Sequence, residues 1–398
     1  MISFDEAIRL LDTVLRPLGR ESVALEDALG RVLAEEIVAD RDFPPTDRSA
    51  MDGFAVRSAD LPSPGALKVV GEVRAGADPG GHYVAVGETC RVFTGAVIPD
   101  GADAVVMVER TEEDRSSGTV RIDDTPGAGQ HIRKAAQDLR RGDPVLSAGT
   151  AIRSAEIAAL ASVGRVVVPV HRRPRVSVLS TGDEIVPPHE IPAAHQLRNS
   201  NTPMLLAQVK EAGFEAADLG TAPDRRGLLR KKLRLGLASD LLLVTGGVSI
   251  GDYDLVGEEL AAAGVETIFH GVAMKPGKPI LAGRLDGRLV LGLPGNPVSA
   301  FVGFKLFGEP ALRRFSGNSR VWPQHVVVRL DMPIRRKPGR RIYHLARVED
   351  RGEGWIATPV RSTGSGDVLS LARANALVVT AVDSSGAAAG EKLDALLF

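Results

Sequence analysis

The stretch "DLLLVTGGVSIGDYD", residues 240–254, reads as a buried strand that stops in glycine and continues into acids. An apolar run of this length bounded by glycine is typical of a strand in a parallel sheet. Backbone amides in such a turn, a hydroxyl beside them and the start of the next helix can hold phosphate oxygens. The residues that offer these groups are Gly246, Gly247, Ser249 and Gly251.

Two carboxylates, Asp252 and Asp254, follow the same turn and would repel a phosphate that arrives alone. Mg²⁺ is a hard cation that binds carboxylate oxygens together with substrate phosphates. The turn therefore predicts a phosphorylated ligand that binds with a divalent cation.

The chain around this stretch alternates between strand and helix patterns, which predicts a parallel sheet with helices on both faces. The expected elements are the strand "RVSVLSTG", a helix capped by Asn201 and ended by Gly213, a strand at Ala216–Gly220, a helix over "RRGLLRKKLRLGLA", the strand of residues 240–245, a helix at Leu255–Ala263, a strand at Val265–Phe269, the strand "RLVLGLPG" and a helix after Pro297.

The flanking regions have other patterns. Ser3 and Glu6 form a capping-box pattern at the start of a first helix, and a second helix is expected over Leu25–Leu33. Short β-like runs between glycine and proline turns, at Leu67–Arg121, predict an all-β insertion. A helix over Ser154–Val163 follows, and a small β domain is expected from Val326.

Composition narrows the function classes. The 398 residues carry a formal net charge of −1, which disfavours a nucleic-acid binder. One cysteine, Cys90, leaves no disulfide framework, and no apolar run approaches the ~20 residues of a membrane span. We expect a soluble cytoplasmic protein.

Three further glycine-rich turns carry charged or hydroxyl groups: "STGDE", "KPGKP" and "LPGNPVSA". Turns at the carboxyl ends of parallel strands line the ligand crevice of an open sheet. Glu184 and Asp224 are further candidates for Mg²⁺, and Lys275 and Lys278 place positive charge on a proline-bounded loop. P-loop, dinucleotide-binding and HExxH motifs are absent from the sequence.

Seven stretches follow one another along the chain: "SAMDGFAV", "FTGAVIPDGADAVVMVE", "PRVSVLSTGDEIV", "LRNSNTPML", "TGGVSIGDYDLV", "VAMKPGKP" and "GLPGNPVSAFV". In these stretches and in their order, the chain resembles the molybdopterin molybdenumtransferase family, of the MoeA and gephyrin E-domain type. The resemblance implies insertion of molybdenum from molybdate into adenylylated molybdopterin, with Mg²⁺ as cofactor and release of AMP. It also implies a molybdopterin adenylyltransferase as the upstream partner.

The resemblance implies a multidomain α/β and β fold and a homodimer with shared active sites. The expected domains are an elongated helical domain at 1–40 plus 131–168, a β insertion at 41–130 that faces the partner's active site, a central parallel-sheet α/β molybdopterin-binding domain at 169–318 and a C-terminal β domain at 319–398.

The resemblance assigns roles residue by residue. Positions that match those the family uses around the pyrophosphate and metal are Asp52, Thr94, Glu184, Asp224 and Asp254, of which Glu184, Asp224 and Asp254 would hold Mg²⁺. Positions expected around the phosphate, the pterin and molybdate are Gly246, Gly247, Ser249, Gly251, Lys275, Lys278, Pro294, Gly295, Asn296, Pro297, Ser299, Arg347 and Ser365.

Some positions depart from the family pattern. Ala136 and Gln137 stand where the family usually has Gly-Glu, and Gly271 replaces a basic residue. The family's oxyanion-binding arginine falls on Leu345, so we expect Arg347, two residues on, to take its place. These changes keep two alternatives open: a pyrophosphate hydrolase acting on another nucleotide, and a non-catalytic scaffold like gephyrin.

Overall fold

A computed structural model describes residues 1–248, 255–352 and 354–398. The predicted residues Ser249, Gly251, Asp252 and Asp254 therefore lie outside the described residues. The α-helices are α1 Phe4–Val14, α2 Ser154–Ser162, α3 Asn201–Glu211, α4 Arg226–Gly236, α5 Leu255–Ala262, α6 Pro297–Gly303, α7 Glu309–Phe315 and α8 Val368–Arg373, with π-helical residues Phe304–Gly308 between α6 and α7.

The strands are, in chain order, β1 Arg20–Ala24, β2 Ile37–Val38, β3 Arg48–Ser49, β4 Gly53–Val56, β5 Gly65–Val73, β6 Glu88–Val92, β7 Ala104–Met107, β8 Thr111–Asp114, β9 Thr119–Ile122, β10 Ile132–Arg133, β11 Pro144–Leu146, β12 Val167–His171, β13 Val176–Thr181, β14 Ile185–Val186, β15 Leu197–Arg198, β16 Ala216–Ala222, β17 Leu241–Thr245, β18 Glu266–His270, β19 Met274–Lys275, β20 Leu281–Leu285, β21 Arg288–Leu293, β22 Val326–Leu330, β23 Ile334–Arg335, β24 Arg341–Asp350, β25 Trp355–Pro359, β26 Ala376–Thr380, β27 Gly386–Ala387 and β28 Lys392–Leu397.

The chain divides into two compact units. Unit 1 consists of residues 1–34, 149–153 and 167–398, and unit 2 consists of residues 35–148 and 154–166. The four-domain division stays a prediction.

Unit 1 contains the predicted α/β sheet, in the order β16-β13-β17-β21-β20-β18. Neighbours from β16 to β21 are parallel, whereas β20 runs antiparallel to both β21 and β18. All strands except β20 therefore point the same way, and their carboxyl ends meet at one edge. The continuous apolar run of β17 explains its burial on both faces: Leu241 and Leu243 pack in one core, and Leu242 and Val244 pack with α4 and α5 in the other.

The C-terminal strands of unit 1 close on themselves. In the sheet β19-β24-β25-β22-β28-β26, strand β26 also pairs with β24, so five strands form a small barrel to which β19 is added. Closure removes unpaired edges. Tyr343 and Leu345 of β24 join the same core as the α/β helices and α1, which fixes the barrel against the α/β sheet within unit 1.

Unit 2 is built around the sheet β7-β4-β6-β5-β9-β8, as expected for the β insertion. Apolar residues pack on both faces of this sheet, with Phe54 and Val106 on one and Ala55 and Cys90 on the other. Cys90 is fully buried and behaves as a small apolar residue.

Most predicted helices are confirmed. The Ser3 hydroxyl accepts a hydrogen bond from the Glu6 backbone N–H at 3.1 Å and caps α1. The helix expected over Leu25–Leu33 is wrong, because only Leu25–Asp27 form a 3₁₀ turn. Gly30 then has φ +73°, and Val32 and Leu33 pair with extended backbone. Asn201 begins α3 rather than capping it, since Ser200 is the cap residue.

Candidate functional site

The loops at the carboxyl edge of the α/β sheet hold most of the predicted site. They are Gly182–Glu184 after β13, Pro223–Asp224 after β16, Gly246–Val248 after β17 and Pro294–Asn296 after β21. The "KPGKP" loop reaches the same edge, because it joins the carboxyl end of β18 to the start of the reversed strand β20. The topology thus brings the predicted glycine-rich turns together, as far as they are described.

The loop after β17 is packed tightly between its neighbours. The Gly246 N–H donates to the Leu293 carbonyl at 3.1 Å. Gly246 has φ +89°, and a Cβ there would lie 2.6 Å from the Thr181 backbone oxygen. Only glycine fits without displacing a neighbouring strand end.

Asn201 ties two of these loops together. Its Nδ2 donates to Thr245 Oγ1 at 2.8 Å and to the Gly295 carbonyl at 2.7 Å. The side chain is buried, and its Oδ1 has no hydrogen-bond partner in the part of the chain that the structure describes. The sequence indicated only a helix cap here. The available sequence signal for this role was the asparagine pair in "RNSN", which stands where a strand leads into a helix at this edge.

Two predicted metal ligands, Glu184 and Asp224, lie on neighbouring loops and are exposed. The Gly182 N–H donates to the Ala222 carbonyl at 3.2 Å, and the Asp224 N–H donates to Asp183 Oδ1 at 3.2 Å. Across residues 1–248, 255–352 and 354–398, no three His, Cys, Asp or Glu side chains gather as a metal cluster. Mg²⁺ commonly takes only one or two carboxylates and keeps several waters, so this pair fits such an ion.

A cavity of about 790 Å³ lies between the barrel and two of the carboxyl-edge loops, the "KPGKP" loop and Pro294–Asn296, within unit 1. Among the predicted residues, Lys275, Lys278, Pro294, Asn296, Ser299 and Ser365 line it. The other two residues of the same loop, Gly295 and Pro297, adjoin it in sequence without lining it.

The loop that carries Ser365 is fixed to the loop after β21. Asn296 Nδ2 donates to Ser365 Oγ at 3.0 Å, and the Val298 N–H donates to the Ser365 carbonyl at 3.0 Å. These contacts hold a serine hydroxyl at the cavity wall, where it can meet an oxyanion oxygen.

The charge of the cavity wall has one sign. No carboxylate is among the described lining residues, whereas Lys275, Lys278, Arg335, Arg336, Lys337 and Arg340 all line it. The Arg336 guanidinium donates to the carbonyls of Ala381 at 2.6 Å and Val382 at 3.1 Å. Within the described residues, no ion pair or side-chain hydrogen bond engages the other five cations, so their charge is available to a ligand.

A histidine in the wall responds to this charge. Burial, with the positive charges of Arg336 and Lys275, lowers the pKa of His344 to about 4. Its Nε2 lies 2.9 Å from Thr380 Oγ1. His344 is therefore neutral near pH 7. Burial also disfavours the charged form of the neighbouring Tyr343, and here it raises the pKa of the phenol. The available sequence signal for this wall was the run "IRRKPGRRIYH".

Leu345 and Arg347, the two positions considered for the family's oxyanion-binding arginine, have different surroundings. Leu345 lines the cavity and is 7% exposed, so it contributes an apolar surface. Arg347 is exposed, and its Nε donates to Glu349 Oε1 at 2.8 Å. Arg347 is not among the residues that line the cavity, and its role in oxyanion binding stays a prediction.

In unit 2, Asp52 and Thr94 lie side by side at the ends of β4 and β6. Asp52 Oδ1 accepts hydrogen bonds from the Thr94 backbone N–H at 2.7 Å and from Thr94 Oγ1 at 2.8 Å. The backbone N–H and then the hydroxyl of Thr94 hold the pKa of the exposed Asp52 carboxyl below its usual range. Thr94 therefore fixes the orientation of the Asp52 carboxylate and favours its ionised form.

Comparison with known proteins identifies the family. Residues 2–164 match the description "MoeA N-terminal region (domain I and II)", residues 177–314 "Probable molybdopterin binding domain" and residues 327–398 "MoeA C-terminal region (domain IV)". The chain is 34% identical to a Staphylococcus aureus (strain COL) protein named molybdopterin molybdenumtransferase, over 100% of this chain and 95% of that protein. This chain belongs to the MoeA family.

Further MoeA relatives extend over the whole chain. A Bacillus subtilis (strain 168) protein with the same name is 34% identical, over 100% of this chain and 94% of its own length. The crystal structure titled molybdopterin biosynthesis moeA protein from Pyrococcus horikoshii OT3 is 30% identical, covers 100% of both chains and has a TM-score of 0.86. The resemblance and the multidomain α/β and β fold class are confirmed.

The MoeA regions map simply onto the site. The carboxyl-edge loops fall within residues 177–314, and the barrel wall with Arg335 and Arg340 falls within residues 327–398. The cavity is therefore formed where the molybdopterin-binding region and the MoeA C-terminal region meet inside unit 1.

Proposed function

We propose that this protein is a molybdopterin molybdotransferase, which inserts molybdenum from molybdate into adenylylated molybdopterin and releases AMP. The single observation that carries the proposal is the cation-lined cavity beside the glycine-rich loops, in a chain that matches curated molybdopterin molybdenumtransferases along its length. A tetrahedral oxyanion and a pyrophosphate are both anions, and the two neighbouring regions suit them.

The oxyanion end of the reaction belongs to the cavity. Lys275 and Lys278 attract molybdate, and the hydroxyls of Ser299 and Ser365 donate to its oxygens. Leu345 and Val360 give the same cavity an apolar part that excludes water from the bound groups. The chain's contribution here is to hold the oxyanion at a fixed place beside the pterin.

The pyrophosphate end belongs to the carboxyl-edge loops. The amide of Gly247 binds phosphate oxygens, whereas the predicted amide of Gly246 is already donated to the Leu293 carbonyl. The loop Pro294–Pro297 shapes the pterin side. Glu184 and Asp224, together with Asp254 outside the described residues, would hold Mg²⁺. When bound, that ion neutralises charge on the phosphoanhydride and its leaving phosphate.

A second protomer completes the site in this proposal. Asp52 and Thr94 lie in unit 2, and Asp52 Oδ2 has no hydrogen-bond partner among the described residues. That oxygen can meet a metal-bound ligand of a partner protomer in a homodimer whose protomers have the four predicted domains. The proposal includes action in the cytoplasm, downstream of a molybdopterin adenylyltransferase. Among the described residues, no helix is both long and apolar enough to span a membrane.

The decisive experiment measures AMP release from adenylylated molybdopterin by the full chain, with and without molybdate and Mg²⁺. We expect AMP and an active molybdenum cofactor only when molybdate is present. Molybdate-independent AMP release would indicate the pyrophosphate hydrolase instead. Binding of the pterin without any AMP release would indicate the scaffold.

Mixing two inactive variants tests whether the site is shared between protomers. Asp52→Ala and Glu184→Gln should each inactivate the enzyme, and mixing the two proteins should restore activity. Random exchange makes about half of the dimers mixed, and each mixed dimer holds one intact site, so about a quarter of wild-type activity is expected. No recovery in demonstrably exchanged dimers contradicts a site shared between protomers.

A further inference from the structure

The cavity lacks the arginine that the family pattern places at residue 345, yet it does not lack positive charge. Leu345 is packed in the apolar core, and Arg347 is paired with Glu349 outside the wall. Three other cations of the barrel side, Arg335, Lys337 and Arg340, line the cavity without any ion pair among the described residues. The question is which of them can face an oxyanion held by Lys275.

Strand pairing singles out Arg340. Strand β19 pairs in parallel with β24, with Met274 opposite Arg341 and Lys275 opposite Ile342. Side chains alternate along a strand, so Ile342 and His344 share one face of β24 with Lys275. Arg340 directly precedes the strand and lines the same cavity as these three residues. Burial, then the charges of Arg336 and Lys275, lower the pKa of His344, which agrees with Lys275 and His344 lying on one face.

The neighbouring arginine, Arg341, is committed elsewhere. Its guanidinium makes two hydrogen bonds to the Asp5 carboxylate, at 3.0 and 3.2 Å, and lies 4.8 Å from the centroid of the Phe4 ring. Arg341 thus anchors the start of β24. On the other side of Arg340, the Gly339 N–H donates to the Val382 carbonyl at 2.8 Å. The residues on both sides of Arg340 are therefore fixed, whereas its own side chain makes no ion pair or hydrogen bond among the described residues.

Exposure separates Arg340 from the remaining candidates. Arg335 and Lys337 are exposed, whereas Arg340 is half-buried. Charges at exposed positions are screened over about 8 Å at physiological ionic strength, and partly buried ones are screened less. A guanidinium also presents a planar fork of donors that matches two oxyanion oxygens.

We propose that Arg340 is the third cation of a tetrahedral-oxyanion site with Lys275 and Lys278, and that it replaces the arginine lost at Leu345. The assignment deepens the proposed function, which supplies only the identity of the oxyanion as molybdate. Arg340 acts by binding and orienting this substrate, from the barrel side of the cavity.

The test is calorimetric titration of the full-length protein with molybdate, and separately with sulfate, without pterin. Arg340→Ala should raise the Kd for either oxyanion about tenfold, the size of one lost charge-assisted contact. Arg340→Lys should recover part of the loss, because it keeps the charge without the fork. Since Arg340 has no partner to lose among the described residues, thermal melting should show both variants folded.

Two controls make the result specific. Arg361→Ala removes the same charge from an exposed residue that adjoins Val360 and Ser362 without lining the cavity, and should leave the Kd within twofold. Arg347→Ala should do the same. An equal loss in Arg361→Ala, an unchanged Kd in Arg340→Ala, a loss in Arg347→Ala alone, or no saturable binding by the wild type would each overturn the assignment.

The oxyanion assignment and the proposed function fail separately. If Arg340→Ala loses molybdate binding but the wild type releases no AMP from adenylylated molybdopterin, the function is wrong and the oxyanion site stands. If AMP release depends on molybdate and Arg340→Ala leaves that dependence unchanged, the function stands and the role of Arg340 is wrong.

Discussion

Two neighbouring regions of unit 1 carry opposite charge and share loops at the carboxyl edge of the α/β sheet. The carboxyl-edge loops present the acids Asp183, Glu184 and Asp224, whereas the cavity wall presents only cations and neutral groups among its described residues. The loop Pro294–Pro297 belongs to both, since Gly295 accepts from Asn201 at the edge and Asn296 donates to Ser365 at the cavity. An elongated ligand with a metal-bound pyrophosphate at one end and an oxyanion at the other fits this division.

The largest expected effect is the loss of turnover when an acid of the carboxyl-edge loops is replaced. Glu184→Gln should lower Mg²⁺-dependent turnover by about 100-fold or more, because a metal ligand contributes several kcal/mol at the transition state. Binding of molybdate, measured by calorimetry, should stay within twofold of the wild type. Binding of Mn²⁺ as a spectroscopic probe should weaken as well, which separates metal binding from chemistry.

Glu190→Gln, at an exposed neighbouring position, is the matched control for Glu184→Gln and should leave both measurements unchanged. If Glu184→Gln instead weakened molybdate binding as much as it weakened Mn²⁺ binding, the two regions would not be separate.

The reverse pattern is expected from the basic region. Lys275→Ala should raise the molybdate concentration for half-maximal AMP release by about tenfold or more, because one charge is lost from a partly desolvated oxyanion site. The Mg²⁺ dependence should not move, since the acids lie on other loops. Arg361→Ala, the exposed charge control, tests whether the loss is local. If Lys275→Ala also raised the Mg²⁺ concentration for half-maximal AMP release about tenfold, the two regions would not act separately.

A third effect concerns the packing that holds the acidic region. Gly246 and Gly213 have nearly the same backbone, with φ +89° and +87°, but a Cβ meets the Thr181 oxygen at 2.6 Å in the first and nothing within 4 Å in the second. Gly213→Ala should cost about 1 kcal/mol of unfolding free energy from backbone strain. Gly246→Ala should cost about 2 kcal/mol more. Urea unfolding of the two variants measures the difference, and equal costs would mean that the loop after β17 is loosely packed.

Much of the α/β region follows from local sequence. The strands of residues 176–181 and 241–245 and the helices after them are confirmed, because apolar runs bounded by glycine have one stable arrangement here. The reversed strand β20 was not expected, since direction depends on long-range pairing. The helix over Leu25–Leu33 failed for a related reason: the extended pairing of Val32 and Leu33 outweighs local helix preference.

The site was predictable only in part, for the same physical reasons. Lys275 and Lys278 stand on a loop marked by proline, glycine and charge, whereas Ser365 was expected only from the family resemblance; all three line one cavity. The roles of Arg340 and His344 depend on the register of β24 against β19 and β26, which pair residues far apart in sequence. Arg347 lies two residues beyond Leu345 in β24 and is not among the residues that line the cavity, and its role stays a prediction.

The smallest expected effect is the pH dependence of the basic region. The folded pKa of His344, about 4, lies below the value of about 6.5 for an unfolded histidine. Between these pH values the unfolded chain binds more protons, so unfolding free energy rises with pH from about 4 to about 6.5 and then levels off. His344→Gln should flatten this slope by about 1 to 3 kcal/mol over the window, whereas His189→Gln, at an exposed position, should keep the slope of the wild type. Molybdate should flatten part of the wild-type slope too, because a dianion beside Lys275 offsets the positive charge that adds to burial in keeping His344 neutral. Denaturant unfolding at a series of pH values measures all of this, and a slope that molybdate leaves unchanged would place the oxyanion away from the face shared by His344 and Lys275.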